Sequence, residues 1–429
     1  MNRAGVSVRC TRRGGAYVLV LGAATLLTVA GLSAVAVMRT SIGRVVMSRD
    51  WSAAGVLAES SIEGALSRIN TEPTWRSDFR TSPVAGPTSI GGGTASFRIE
   101  DPSDGDLSNN PKDPVRIIGV GKVGQARRAY AVEARWVPPP ALEVLNHAVY
   151  ATGSINCRGA ARAVGGGIRC AGTLTNSSTL LADVWASSVS NSGTIAGEVR
   201  EGGSSLSPLS DGTLASLASR GTVINYGSLS GGSIDRVLLS PGANPYGAPN
   251  ADGIYVISVP ALSTLTIRRS RIVGTLVVQL GLSSSLQVRD EVNWERSDDN
   301  LPTLIVSATA LSSVGFSGSS NPLSEGLLGV NFNPASTPYN GQSDTDTADT
   351  YPTEVRGVIH ISTLLASVTC GHGFTLNGTL ITEGSLTIDA GASFNHDATV
   401  LNSPPAAYQT GSASMMPVPG TWSWVPVQE

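Results

Sequence analysis

The residues of this chain best suited to chemistry are three aspartates, Asp344, Asp346 and Asp349, spaced two and three positions apart. Clustered carboxylates offer hard oxygen donors, the ligand type of Ca2+. The run Asp344-Thr-Asp346-Thr-Ala-Asp349 holds no Gly, and Glu354 falls one residue short of where a calcium loop sets its closing bidentate Glu. Calcium at Asp344, Asp346 and Asp349 is therefore one reading, and a solvated acidic loop is the other. A second acidic stretch, residues 101–113 (DPSDGDLSNNPKD), lacks both alternate-residue carboxylates in register and a closing Glu, and reads as a solvated turn-rich loop.

Sulfur and imidazole come next. Of four cysteines, Cys10 precedes a long apolar stretch and Cys157, Cys170 and Cys370 follow it. In an oxidising compartment Cys157 and Cys170 are a possible disulfide if neighbouring coils of chain bring them together. Cys370, in TCGHG, would then be a small buried thiol. His372 beside it invites a metal, but no CxxC or HxxxH accompanies it. Acids also gather at Asp290, Glu291, Glu295, Asp298 and Asp299 with Arg296 among them. Their contiguity puts them on opposite faces of a strand or in one solvated loop, not on one catalytic face. The chain has only 4 His, no Lys beyond Lys122, and no G-x-S-x-G, H-E-x-x-H or P-loop motif. The expectation is no catalytic residues, no cofactor-binding residues and no enzyme.

The elements that must carry these residues begin with residues 16–37, which hold no charge and as a helix would extend roughly 33 Å, enough to cross a bilayer core. Arg3, Arg9, Arg12 and Arg13 precede it, with no acid in residues 1–15. The basic side is expected to stay in the cytoplasm and the bulk of the chain to be exported. Beyond the span the helical pattern runs on to residue 70, with Trp51, Ala54, Ala58, Ile62, Ala65 and Ile69 recurring every three or four positions. Three readings fit: a secretory signal cut after Ala34-Val35-Ala36, an uncleaved anchor, or a membrane helix continuous with an amphipathic one.

Charged residues are 14% of the chain, with 49 Gly and 24 Pro, and the net charge is −3. That gives no electrostatic footprint for nucleic acid and leaves a surface of Ser, Thr and Asn. Residues 71–140 read as a Pro/Gly linker over 73–87, three strands over 94–100, 115–122 and 126–137, and a spacer at Pro138-Pro139-Pro140. From 141 to 401 a triplet of Gly, Ser or Thr, and an aliphatic residue returns, as at Gly153, Gly172, Gly193, Gly274, Gly378 and Gly384. Short strands with Gly corners at this repeat predict a right-handed parallel β-helix, or β-solenoid, with insertions near 200–252 and 316–354. An antiparallel sandwich is the alternative. A short helix is expected over 211–219. Residues 402–429 form a Pro-rich tail whose Trp422 and Trp424 are expected to dock on the last coil.

Arg13-Gly14-Gly15, Val18-Leu19-Val20-Leu21, Leu26-Leu27-Thr28, Gly31-Leu32, Arg49-Asp50, Ala58-Glu59 and Ala65-Leu66 together resemble the amino-terminal segment of type IV pilins, chiefly the minor, pilus-assembly kind. The resemblance covers about 60 residues. It implies prepilin cleavage after Gly15 with Ala16 as new amino terminus, and helix partners among other pilin-like subunits. Most major pilins carry Glu five residues after the cut; Val20 stands there, as in some minor pilins. The coil repeats resemble those of bactofilins and exported adhesins.

The sequence therefore predicts a mainly β protein: basic leader (1–15), transmembrane and amphipathic helix (16–70), small antiparallel sheet (71–140), β-solenoid (141–401) and tail (402–429). Its expected place is the cytoplasmic membrane, single-pass, with the carboxy-terminal part periplasmic or at the cell surface. Expected partners are membrane lipid, pilin-like subunits and a surface polysaccharide or protein. A membrane-anchored β-helix unrelated to pili is the second reading, and a carbohydrate-active lyase or hydrolase the third.

Overall fold

A computed structural model describes residues 14–81, 84–202, 205–206, 211–309, 311–362 and 367–426. Residues 1–13 of the basic leader, with Cys10, lie outside the described residues, as does Ser210, the expected cap of the short helix. The chain forms two units, one of residues 1–137 with 413–429 and one of residues 138–412.

The first unit is built on α1 (Gly14–Thr71), 58 residues without an internal proline. It ends where Pro73 approaches, because a proline ring disfavours helical geometry at the residue before it. Along residues 15–49 every side chain is exposed, and these residues are mostly apolar. This segment is long and apolar enough to cross a membrane. From there the helix turns one stripe inward: Ala54, Leu57, Ala58, Ile62, Ala65, Leu66 and Ile69 are buried. They pack on an antiparallel sheet of β1 (Val84–Ile90), β2 (Gly93–Glu100), β3 (Val115–Val123) and β4 (Ala126–Val137) in sequential order. Ile62, Ala65 and Ile69 meet Ile99, Ile117 and Val132 in one core.

Two expectations fail here. The linker of residues 73–87 is instead α2 (Trp75–Thr81), whose Trp75 and Phe79 enter the same core, followed by β1. Pro87 misled the reading. It sits in an edge strand where pairing is interrupted between Ala85 and Thr88, and both an edge and a break in register tolerate a missing N–H. The tail also divides. Ser414–Pro417 and Ser423–Trp424 both pair with β4, so Trp422 and Trp424 belong to this sheet and not to the last coil. Asn70 holds the returning chain, donating to the Met415 carbonyl at 3.1 Å and accepting from its N–H at 2.7 Å. An open edge of β4 is thereby covered.

The second unit is a β-solenoid of parallel strands, as the Gly-Thr-aliphatic repeat predicts. Its first coil is Val149–Ala151, Ile155–Cys157 and Ala161–Val164; the next two stack on it in order through Thr194–Ile195, and Val199–Glu201 ends that side. The chain then crosses along the stack. Leu206 packs with Tyr150, and α3 (Asp211–Arg220) lays Leu217 on Ile254, Val256, Val277 and Ile305. That cover explains why Ile254–Val259 is apolar on both faces. Coiling resumes at the opposite end with Thr222–Val223 and Ser233–Asp235 and returns inward through residues 254–395. The final coil stacks on the first: Leu380 pairs with Val149, Leu386 with Ile155 and Ala392 with Ala161. One aliphatic core runs through the whole stack.

Candidate functional site

Three features of the solenoid unit bear on function. The first is a nine-stranded parallel sheet in which outward positions align across strands. One rank holds Ser188, Thr173, Ser385, Ser367, Ser313, Ser285 and Thr264 in paired strands, with Ser154 just ahead of Ile155–Cys157 bridging Thr173 and Ser385 through its hydroxyl and N–H. The neighbouring rank runs Ser190, Thr175, Asn156, Thr387, Thr369, Gly315, Gln287 and Thr266. With strands about 4.8 Å apart, eight hydroxyls in line extend roughly 34 Å. Their inward neighbours Leu174, Ile155, Leu386, Val368, Val314 and Leu286 are buried, and it is this alternation that turns the polar side chains out. Hydroxyls bond along the rank, Thr173 to Ser188 at 2.9 Å and Thr264 to Ser285 at 2.7 Å. Neither rank contains a charge or an aromatic ring.

The second feature is the lobe inserted between Ser313–Ser317 and Glu354–Ser362. It has its own small core of Leu323, Phe332 and Tyr351 on Leu238. Arg271 pins it down from beneath. The guanidinium is fully buried, donates to the carbonyls of Phe332 (2.6 Å), Thr337 (2.9 Å) and Pro338 (3.0 Å), and pairs with Glu295 at 2.7 Å. It also lies over the rings of Tyr339 and Tyr351.

Asp344, Asp346 and Asp349 sit in this lobe. Asp344 and Asp346 come together with Glu325, a residue the sequence reading did not single out: one carboxylate oxygen of each lies within 4.8 Å of the others. Glu325 is fully buried at the start of the short helix Glu325–Leu328. Its Oε1 accepts from the Phe332 N–H and from the Tyr351 hydroxyl (2.8 Å), and its Oε2 from the Asp349 N–H (3.2 Å). Asp349 reaches the group through Asn333, whose Nδ2 donates to Asp349 Oδ2 at 2.9 Å and to Asp344 Oδ2 at 3.4 Å. Partial desolvation, then the charges of Asp344 and Glu325, raise the pKa of Asp349. Burial, then the bond to Glu325, raises that of Tyr351. Nothing in the local sequence marks Glu325, since SEGLL reads as an ordinary helix start.

The third feature is the cysteines. Cys157 and Cys170 lie in the coil core as buried free thiols, and the bridge expected between them is not formed in this structure. Burial pushes Cys157 up to about 12 and Cys170 up to about 11. Cys370 is a buried core thiol pushed up by the same cause. His372 sits beside it in a tight turn at φ 50°, its N–H bonded to the Ala390 carbonyl.

The acids of residues 290–299 do not converge. Glu295 pairs with Arg271, and Asp299 with Arg296 at 2.8 Å. Gly15 and Ala16, the expected cleavage pair, are at the start of α1, where Ala16 is exposed.

No protein-family model matches the chain, and no curated protein matches it. Solved structures similar to it include the competence-associated pilin ComZ from Thermus thermophilus, at 10% identity over 88% of this chain and 98% of that one, TM-score 0.32. An ice-binding protein from an Antarctic biological consortium aligns at 16% identity over 60% of this chain and 90% of that one, TM-score 0.29. A glycosylated ice-binding protein from an Arctic yeast aligns at 13% identity over 60% and 94%, TM-score 0.28.

Proposed function

We propose that this chain is a non-enzymatic envelope protein of the minor-pilin or pseudopilin kind, anchored in the cytoplasmic membrane by α1, with its solenoid outside and serving adhesion. One observation carries the reading: a single unbroken helix is apolar and exposed over residues 15–37, then buries Ala54, Ala58, Ile62 and Ile69 on a small antiparallel sheet. A helix that only anchored would not need the second half, and one that only served a soluble core would not leave the first half bare. The bare half is expected to contact membrane lipid and, in a fibre, the helices of other pilin-like subunits.

The hydroxyl ranks are the proposed adhesive surface. An array without charge or aromatic ring, repeating at strand spacing, suits an extended neutral polysaccharide bonded at many shallow points. The same array can also order a layer of water, so an ice surface is the second reading of its partner.

Chemical sequencing of the mature amino terminus tests the anchor. Ala16 supports the pilin reading, Val37 a secretory signal and Met1 a plain anchor. For the face, the full-length protein in detergent is compared with Thr387→Arg, which places a charge in mid-array. Retention on insoluble neutral glucans, or inhibition of ice recrystallisation, should fall at least tenfold in the variant. Neither activity in the parent protein would remove the adhesive reading.

A further inference from the structure

We propose that the inserted lobe is a calcium site, in which Glu325, Asp344 and Asp346 with Asn333 hold one Ca2+. Asp344 and Asp346 are separated from Glu325 by the whole length of the lobe's loop, yet their carboxylate oxygens lie within 4.8 Å of one another. Two oxygens sharing one Ca2+ at about 2.4 Å each can be at most about 4.8 Å apart, so each pair meets the limit, and small side-chain adjustments bring all three within reach of one ion. Among the described residues none of these carboxylates, nor Asp349, pairs with a Lys or Arg, because Arg271 is committed to Glu295 and to backbone carbonyls. Anions this close repel one another, and a cation among them relieves that repulsion.

A second observation is independent of the acids. Asn333 is 2% exposed, its amide enters the group between Asp344 and Asp349, and its Oδ1 has no hydrogen-bond partner. A buried acceptor left unpaired costs about 1–3 kcal/mol. As it stands the amide turns Nδ2 to Asp349 and Asp344; a half-turn, which keeps its shape, would exchange those two bonds for an Oδ1 facing the carboxylates, where a cation would give it a partner. Glu325 Oε1 is already used by two donors, but Oε2 accepts only the Asp349 N–H and keeps a lone pair for the ion. The donor set is all oxygen with no His or Cys, and it stands on irregular loop backbone. Both properties favour Ca2+ over Zn2+ and over the rigid octahedron of Mg2+. Bound there, the ion ties the helix Glu325–Leu328 to residues 344–349 and closes the lobe on itself.

The test uses full-length protein in detergent, stripped with chelator and titrated with CaCl2 by calorimetry, with Tb3+ luminescence excited through tyrosine as a second readout. One saturable Ca2+ per chain is expected, with an affinity on the order of 10⁻⁴–10⁻³ M as in extracellular modules. Tb3+ emission should be sensitised through Tyr351, which touches Glu325, and should fall severalfold in Tyr351→Phe. Asp346→Asn, at an exposed position, should fold as the parent does and lose at least tenfold in affinity. Absence of saturable binding overturns the proposal. So does binding that Asp344→Asn and Asp346→Asn together leave unchanged, or an equal response to MgCl2 at the same ionic strength.

Discussion

Gly121 in β3 faces the Ala54 carbonyl of α1 so closely that a β-carbon on the glycine would overlap that oxygen. Gly119, two residues back on the same face, meets Ala58 and Ile62 in the same way. Two missing side chains thus let the helix backbone settle directly onto the strand.

Gly121→Ala is therefore expected to push helix and sheet apart, at a cost of about 1–3 kcal/mol for overpacking. Gly64→Ala is the matched control. Its β-carbon would meet nothing within 4 Å, and the same change in a helix interior should stabilise by about 1 kcal/mol. Denaturant unfolding followed by Trp fluorescence, with hydrogen exchange over residues 54–70, separates the two outcomes.

Arg271→Met should free the inserted lobe. Removing the guanidinium leaves three carbonyls and Glu295 without their donor, a loss of about 3–5 kcal/mol for a buried ion pair cut on one side. Hydrogen exchange should quicken across residues 323–351 first. Uniform loss of protection through the coils instead would show that the arginine supports the stack and not the lobe.

His147 sets an acid limit on the solenoid. Its Nδ1 donates to the Gly166 carbonyl (3.3 Å) while its Nε2 faces the Arg169 guanidinium (3.5 Å), an arrangement for the neutral ring. Burial is the main force lowering its pKa below 6.5, and Arg169 and His396 add to it against Gly166 and Glu143. The unfolded chain then gains a proton near pH 6.5 that the folded chain refuses. Stability is full above that pH and declines as pH falls from about 6.5 towards the folded value. Unfolding midpoints measured from pH 7.5 to 5 should show this slope in the parent and a shallower one in His147→Gln.

The thiols should be inert in the folded protein. With Cys157 pushed up to about 12 and Cys170 up to about 11, almost no thiolate exists at pH 8. Alkylation followed by intact mass should add nothing to these two or to Cys370 until denaturant is present, and then label all three. Labelling of Cys370 alone under denaturing conditions would mean that Cys157 and Cys170 are joined in the protein as isolated.

Much of this architecture can be read from local pattern. The uncharged run of residues 16–37 and the Ala54-Ala58-Ile62 stripe announce one long helix; TASFRIE and ARRAYAVEARWV announce strands by alternation; Gly-Thr-aliphatic triplets announce coils. What pattern cannot convey is adjacency between like elements. Every coil carries the same signature, so nothing in Leu380 or Val149 says that they are neighbours. Glu325 was illegible for the same reason, because its partners lie about twenty residues on and are reached only through the folding of the lobe. The two polar ranks are not legible as ranks. Each Ser or Thr reads singly as an exposed side chain bonded to water, and alignment appears only once the register is known. β1 was hidden by Pro87, a residue that more often marks a break than an edge.

The closing of the last coil on the first has a consequence for the order in which the protein can be made. Arg158 and its partner Asp389 are separated by 231 residues of chain. Because a chain is made from its amino terminus, the coils holding Val149 and Ala161 arrive early. They must then wait with one strand edge unsatisfied while most of the remaining chain is delivered. The stack therefore carries a seam at its centre, zipped only when residues 375–395 appear, and in the incomplete chain that unpaired edge is the strand most open to wrong pairing.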